Sequence, residues 1–264
     1  MIERAGRLSW LAPAGLLVLL ALALVPTADV VRLAGSPAAA DEMTAVLDEL
    51  PPDALVLVGF DPDLGTYAEV RPTVQVLLED LLARDARLAI VSLTAEGRAL
   101  AIAERARLLE DGVDEARLLD AGFVPGAEAA LVRLAGAVGD GGDGLPAEEL
   151  DMGLVVGGND IGPRSWVEQF APRVEGIALV AVAPSVLLPE LGPYLESGQL
   201  RALLATPRDG AAYREAEGVG EGALAGPAPL AVLVGMLAAI AVLGAAVVSR
   251  LGETLRSSRG REAT

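Results

Sequence analysis

The 264-residue chain contains no cysteine, no histidine and no lysine, and its twenty cationic side chains are all arginine. These absences exclude whole classes of chemistry. Zinc held by Cys or His, a thiol nucleophile and a Ser-His-Asp triad are impossible within this chain. A lysine Schiff base is impossible for the same reason. No disulfide can form, so cysteine usage carries no compartment signal. Aromatic residues are scarce as well, 3% of the chain against 53% hydrophobic residues overall. Any core must therefore be built mainly from Ala, Leu and Val.

What the chain has in excess is negative charge, and that charge is unevenly placed. Residues 1–28 carry Arg4 and Arg7 against Glu3, a net +1. Residues 230–264 carry four arginines (Arg250, Arg256, Arg259 and Arg261) against Glu253 and Glu262, a net +2. The formal total is −17, so the middle carries −20. Phosphate backbones are bound by clustered cations, so an acidic middle argues against nucleic acid as a partner. A solvated acidic surface accounts for the charge.

Two long apolar runs border this acidic middle. "LSWLAPAGLLVLLALALVPTA" (Leu8–Ala28) and "GPAPLAVLVGMLAAIAVLGAAVVS" (Gly226–Ser249) are uncharged over about the length that spans a bilayer. Neither shows the polar stripe of a helix packed on a soluble core. Arginine flanks favour the cytoplasmic side. Both termini are therefore expected inside and the central domain outside, a two-pass arrangement in the cell membrane. The first run has a rival reading as a cleaved signal peptide. The Ala38-x-Ala40 motif lies well past the apolar run, and Pro26 sits at −3 for a cut after Ala28. In the second run Ala231, Gly235 and Ala239 recur at four-residue spacing, which permits close helix approach but arises easily in an Ala-rich segment.

Between the runs, strand and helix signals alternate. "ALVLVGF" (54–60), "RLAIVSL" (87–93), "MGLVVGG" (152–158) and "GIALVAVA" (176–183) are continuous apolar runs of strand length, with shorter signals in "ARLLDAGF" and "QLRALLA". "AEVRPTVQVLLEDLLAR", "AEGRALAIAERARLLED", "PGAEAALVRLAGAV", "RSWVEQFAPR", "LPELGPYLESG" and "DGAAYREAEG" read as helices. "GDGGDGLP" (139–146) reads as an insert. This alternation predicts an α/β, Rossmann-like parallel sheet with helices on both faces, flanked by two transmembrane helices. The expected divisions are an anchor or signal peptide (1–29), a linker with a short helix (30–53), the α/β domain (54–218), a linker (219–225), a membrane helix (226–249) and a basic cytoplasmic tail (250–264).

In an open parallel sheet the ligand site lies off the carboxyl ends of the strands. The residues following those strands are therefore the candidates. Asp61, Asp63, Thr94 and Asp160 form one candidate ligand or metal edge, because hard cations such as Mg²⁺ take oxygen ligands. Gln199, Arg208 and Tyr213 form a candidate partner or ligand edge. The structural alternative for "FDPDLGT" is a turn in which Pro62 keeps Asp61 extended, Thr66 caps the next helix and Glu69 completes a capping box. Asp209 is placed to cap the last helix, Gln199 to open the last strand, and Gly198 to end the short helix before it.

Two resemblances attach to these residues. "DPDLGT" with Thr94 and the Asp160 of "GGND" partly resembles the haloacid-dehalogenase-like phosphatases, which carry Asp-x-Asp-x-Thr after the first strand, Ser or Thr after the second, a Lys and a later acidic metal ligand. Here Thr66 falls one residue late and the Lys has no counterpart. The longer blocks from "VGFDPDLGTYAEVRPTVQVLLEDLLAR" through "LLDAGFVPGAEAAL" to "GPYLESGQLRALLATPRDGAAYREA" resemble a family of uncharacterised prokaryotic membrane-anchored proteins with an extracytoplasmic α/β domain. That resemblance spans roughly residues 54–217 and implies no activity.

The reading that follows is a non-catalytic subunit or scaffold of a membrane-associated assembly. Its expected partners are the lipid bilayer and a membrane protein or a second copy of the chain, with no nucleic acid, no cofactor and no resident metal. A Mg²⁺-dependent hydrolase using Asp61 and Asp63 is one alternative, and a surface-tethered binder of a small solute is another.

Overall fold

A computed structural model describes residues 37–139, 150–158, 161–174 and 176–217. Both apolar runs, residues 29–36 and 218–225, the basic tail and Asp160 lie outside these residues. Among the described residues no helix is long and apolar enough to cross a membrane.

The element order is α1 (Pro37–Asp48), β1 (Leu55–Asp61), α2 (Leu64–Ala83), β2 (Arg87–Ser92), α3 (Ala95–Glu110), β3 (Leu118–Phe123), α4 (Glu128–Gly139), β4 (Leu150–Gly157), β5 (Ala178–Val182), α5 (Leu188–Glu196), β6 (Ala202–Leu204) and α6 (Pro207–Glu217). A mixed helical segment over 163–173 joins β4 to β5, with a π-helical turn at Trp166–Phe170 in its middle. The six strands pair in parallel in the order β3-β2-β1-β4-β5-β6. This is the doubly wound Rossmann-like arrangement.

The continuous apolar strands are explained by the two cores. Val56, Val58 and Phe60 of β1 face one core, together with α1, α2, α3 and α6. Leu55 and Leu57 face the other, together with α4, the 163–173 segment and α5. A strand buried on both faces has no position left for a polar residue, which is why alternation is missing from its sequence. The helices met between β1 and β3 lie on one face, and those met between β3 and β6 lie on the other. Crossovers of a single hand dictate this segregation. The helix expected within the 30–53 linker is α1, and it packs into the first core through Ala40, Met43, Val46 and Leu47.

At the centre of the second core Trp166 is fully buried and its indole lies on Gly59 of β1. A Cβ at that glycine would sit 2.2 Å from the ring, so only glycine fits. The Trp166 and Phe170 rings meet at a tilt of 52° with centroids 4.8 Å apart. The helix ends follow their sequence signals in two places. Gly112 (φ +91°) follows α3 and Gly198 (φ +74°) follows α5, in the left-handed conformation that glycine adopts without a steric penalty.

Candidate functional site at the carboxyl edge of the sheet

Strand order reverses between β1 and β4, where ligands bind in folds of this type. Asp61 closes β1 and lies opposite Gly157 of β4. Its carboxylate is fully buried. One oxygen, Oδ1, accepts from the backbone N–H of Leu93 (2.7 Å), the N–H of Thr94 (2.8 Å) and the Thr94 hydroxyl (3.0 Å). Thr94 is in turn the N-cap of α3, its Oγ1 accepting from the N–H of Gly97 at 3.0 Å. Gly97 approaches so closely that a Cβ there would lie 2.4 Å from the Phe60 carbonyl oxygen. The end of β1, the β2 turn and the first turn of α3 are therefore tied together through Asp61.

Asp63, two residues on, does a separate job. It is the N-cap of α2, in extended conformation (φ −82°, ψ 159°). Its Oδ1 accepts from the N–H groups of Gly65 and Thr66, both at 2.9 Å, and its Oδ2 accepts from the Thr66 hydroxyl at 2.6 Å. The expectation that Thr66 caps this helix is corrected here. Thr66 stands at the third helical position and donates back to the cap. Asp precedes it in the chain and reaches the free N–H groups first. Glu69 likewise completes no capping box. Its Oε1 accepts from the backbone N–H and the hydroxyl of Ser185, at 3.1 and 3.0 Å, tying α2 to the turn after β5.

The two carboxylates are displaced in opposite directions. Burial raises the pKa of Asp61 above the ordinary value, against the lowering effect of its bonds from Leu93 and Thr94. The Thr66 hydroxyl, then the Thr66 and Gly65 N–H groups, hold Asp63 below the ordinary value. The loop after β4 closes on the same turn. A Cβ at Gly158 would lie 2.2 Å from Thr66 Oγ1 and 3.2 Å from Asp63 Oδ2.

The structure therefore brings Asp61 and Thr94 into direct contact and places Asp63 in the adjoining turn, while Asp160 lies outside the described residues. Three donors engage Asp61 Oδ1, and both Asp63 oxygens are engaged by its own helix. Among the described residues no group of three or more acidic side chains is placed to hold a metal.

The second candidate edge is not assembled. Tyr213 is fully buried in the first core, and its hydroxyl donates to Asp80 at 2.5 Å. Arg208 is exposed on the first turn of α6. Gln199 is exposed in the turn after α5, where its Oε1 accepts from the Ser197 hydroxyl, and β6 begins three residues later at Ala202. It does not open the strand, because the Gly198 turn must finish first. The expected Asp209 cap is also corrected. The Thr206 hydroxyl accepts from the Asp209 N–H (3.1 Å), and Asp209 Oδ2 accepts from the Thr206 N–H (3.0 Å). This is a reciprocal capping box with Pro207 at the first helical position.

Residues that the sequence reading passed over matter more to the packing. Glu104 is buried and accepts from the Tyr67 hydroxyl (2.9 Å), the Gln75 amide (3.0 Å) and Arg107 (2.5 Å), joining α2 to α3. Arg84 bridges three carboxylates on three helices. A charged residue in a helical run reads as a solvated face, and only the partner helices reveal otherwise. Comparison of the chain with protein-family models, with curated proteins and with solved structures finds no match.

Proposed function

We propose that this protein is a membrane-anchored, outward-facing Rossmann-like domain that serves as a non-catalytic subunit or scaffold of a membrane-associated assembly. One observation carries the reading. The candidate carboxylates at the carboxyl edge are bonded within the fold's own turns and caps: Asp61 Oδ1 by the β2 turn, Asp63 by α2, Glu69 by Ser185, and Asp209 by Thr206. The same edge presents apolar side chains to solvent, with Leu64 67% and Val186 73% exposed. Exposed apolar groups of this kind suit contact with another protein better than they suit polar chemistry. The two apolar runs with arginine flanks support the anchoring and the orientation. The resemblance to prokaryotic membrane-anchored proteins agrees with it.

The second reading is a hydrolase. Its support is the contact between the Asp that closes β1 and the Thr that follows β2, at the reversal of strand order. One experiment separates the two. The full chain is purified from detergent-solubilised membranes, sized, and assayed for Mg²⁺-dependent phosphate release from a generic ester. The scaffold reading expects a stoichiometric partner or a defined oligomer, and no turnover. A lone monomer with turnover that vanishes in Asp61→Asn overturns it, since a carboxylate nucleophile has no substitute.

A further inference from the structure

We propose that α1 and α6 form a latch that closes on the domain and opens from it as one unit, with Arg84 as its fastening residue. Arg84 follows the last turn of α2. Its Nη1 reaches Asp48 of α1 at 2.5 Å, its Nε reaches Asp80 of α2 at 2.8 Å, and its Nη2 reaches Glu217 of α6 at 2.6 Å. The two latch helices are also joined directly, the Thr44 hydroxyl donating to Glu217 at 2.5 Å. Asp80 accepts from both Arg84 and Tyr213, so the α6 anchor and the guanidinium share one buried carboxylate. A single cation thus serves three carboxylates, each from a different nitrogen of the planar guanidinium fork.

The latch is the part of the fold suited to opening. α6 has eleven residues and buries only Asp209, Gly210 and Tyr213. A polar helix of this length does not hold in water without tertiary contacts. Gly210 lets it sit directly on α2, since a Cβ there would lie 2.1 Å from Thr73 Oγ1. α1 packs on β6 and on α6, and β6 is only three residues long. Each helix therefore loses its main neighbour when the other leaves. α6, with few buried apolar contacts, is the element suited to local opening, and α1, whose Met43 and Leu47 sit in the first core, opens with it through their shared contacts. In sequence the latch stands between the sheet and each of the two apolar runs.

Hydrogen exchange on the full chain in detergent tests this. In the wild type, 37–48 and 207–217 exchange together and faster than β1 and β5. Arg84→Met keeps the apolar stem and removes the fork. It accelerates both helices by a common factor of about tenfold or more, with β1 and β5 unchanged, as loss of charge-assisted hydrogen bonds requires. Thr44→Val removes only the direct link and accelerates the same pair by about threefold. If Arg84→Met does not fold, Thr44→Val alone decides. Acceleration of one helix without the other, of neither, or of the whole sheet equally overturns the proposal.

Discussion

Asp61 and Asp63 stand two residues apart and face opposite electrostatic conditions, so they couple folding to pH with opposite signs. Asp63 has a lowered pKa in the fold, so its ionised form stabilises the folded state. That contribution is present above its unfolded value of about 3.9 and is lost as pH falls through the folded value. Asp61 has a raised pKa, so ionising it disfavours the fold, and its contribution falls as pH rises from about 3.9 through the folded value. Two substitutions separate the signs in urea unfolding at a series of pH values. Asp63→Ala costs about 1 kcal/mol near neutrality through the lost cap, and the difference from wild type shrinks in acid. Asp61→Asn keeps an oxygen for the Leu93 and Thr94 donors and removes the buried charge. Its stability relative to wild type therefore rises as pH climbs from about 4. A constant difference across pH for both variants contradicts these assignments. The turn itself was legible in "DPDLGT". The identity of the cap was not, because Asp and Thr both favour that position and only the helix start, at Leu64, selects between them.

At the scale of elements, α6 shows how a short polar helix is begun. Thr206 and Asp209 satisfy each other's backbone N–H groups at the end of β6. Each side chain accepts one of the two bonds, and each bond holds the turn in which the other forms, so the losses overlap. Thr206→Ala and Asp209→Ala each cost about 1 kcal/mol, and the double variant costs less than their sum by about 0.5 kcal/mol or more. Additive losses in a double-mutant cycle contradict the reciprocal box. The strands were legible where both faces are buried, as in β1 and β5, because an unbroken apolar run fits no exposed element. β3 was harder to read. It is an edge strand with Leu119, Asp120 and Phe123 exposed, so its residues meet mixed surroundings. The segment over 163–173 reads as one short helix in sequence. In the structure it changes pitch around Trp166, whose indole lies against Gly59 of the sheet.

For the whole molecule, the alternation of strands and helices implied a parallel sheet with helices on both faces, and six strands in the order β3-β2-β1-β4-β5-β6 meet that expectation. The apolar runs at 8–28 and 226–249 lie outside the described residues, and the two-pass arrangement rests on their composition and arginine flanks. Protease added outside intact spheroplasts is expected to degrade the central domain and to spare the tail beyond Arg250. A protected domain with an accessible tail reverses the orientation. Mass spectrometry of the same protein separates the anchor from the signal peptide, since a retained anchor leaves peptides from the first run.

The sequence by itself determined the excluded chemistries, the acidic middle, the strand-forming runs and the turn after β1. Each of these depends on residue type and local spacing, which the chain carries without reference to its fold. Only the tertiary structure decided which residues meet. It set Asp61 against Thr94, 33 positions away, and Arg84 against Glu217, 133 positions away. It also turned Tyr213 from a candidate contact into a core residue. These pairings depend on strand order and on which face each helix covers. Both follow from the handedness of the crossovers and the burial of two apolar faces at once, and neither is written in any single stretch of sequence.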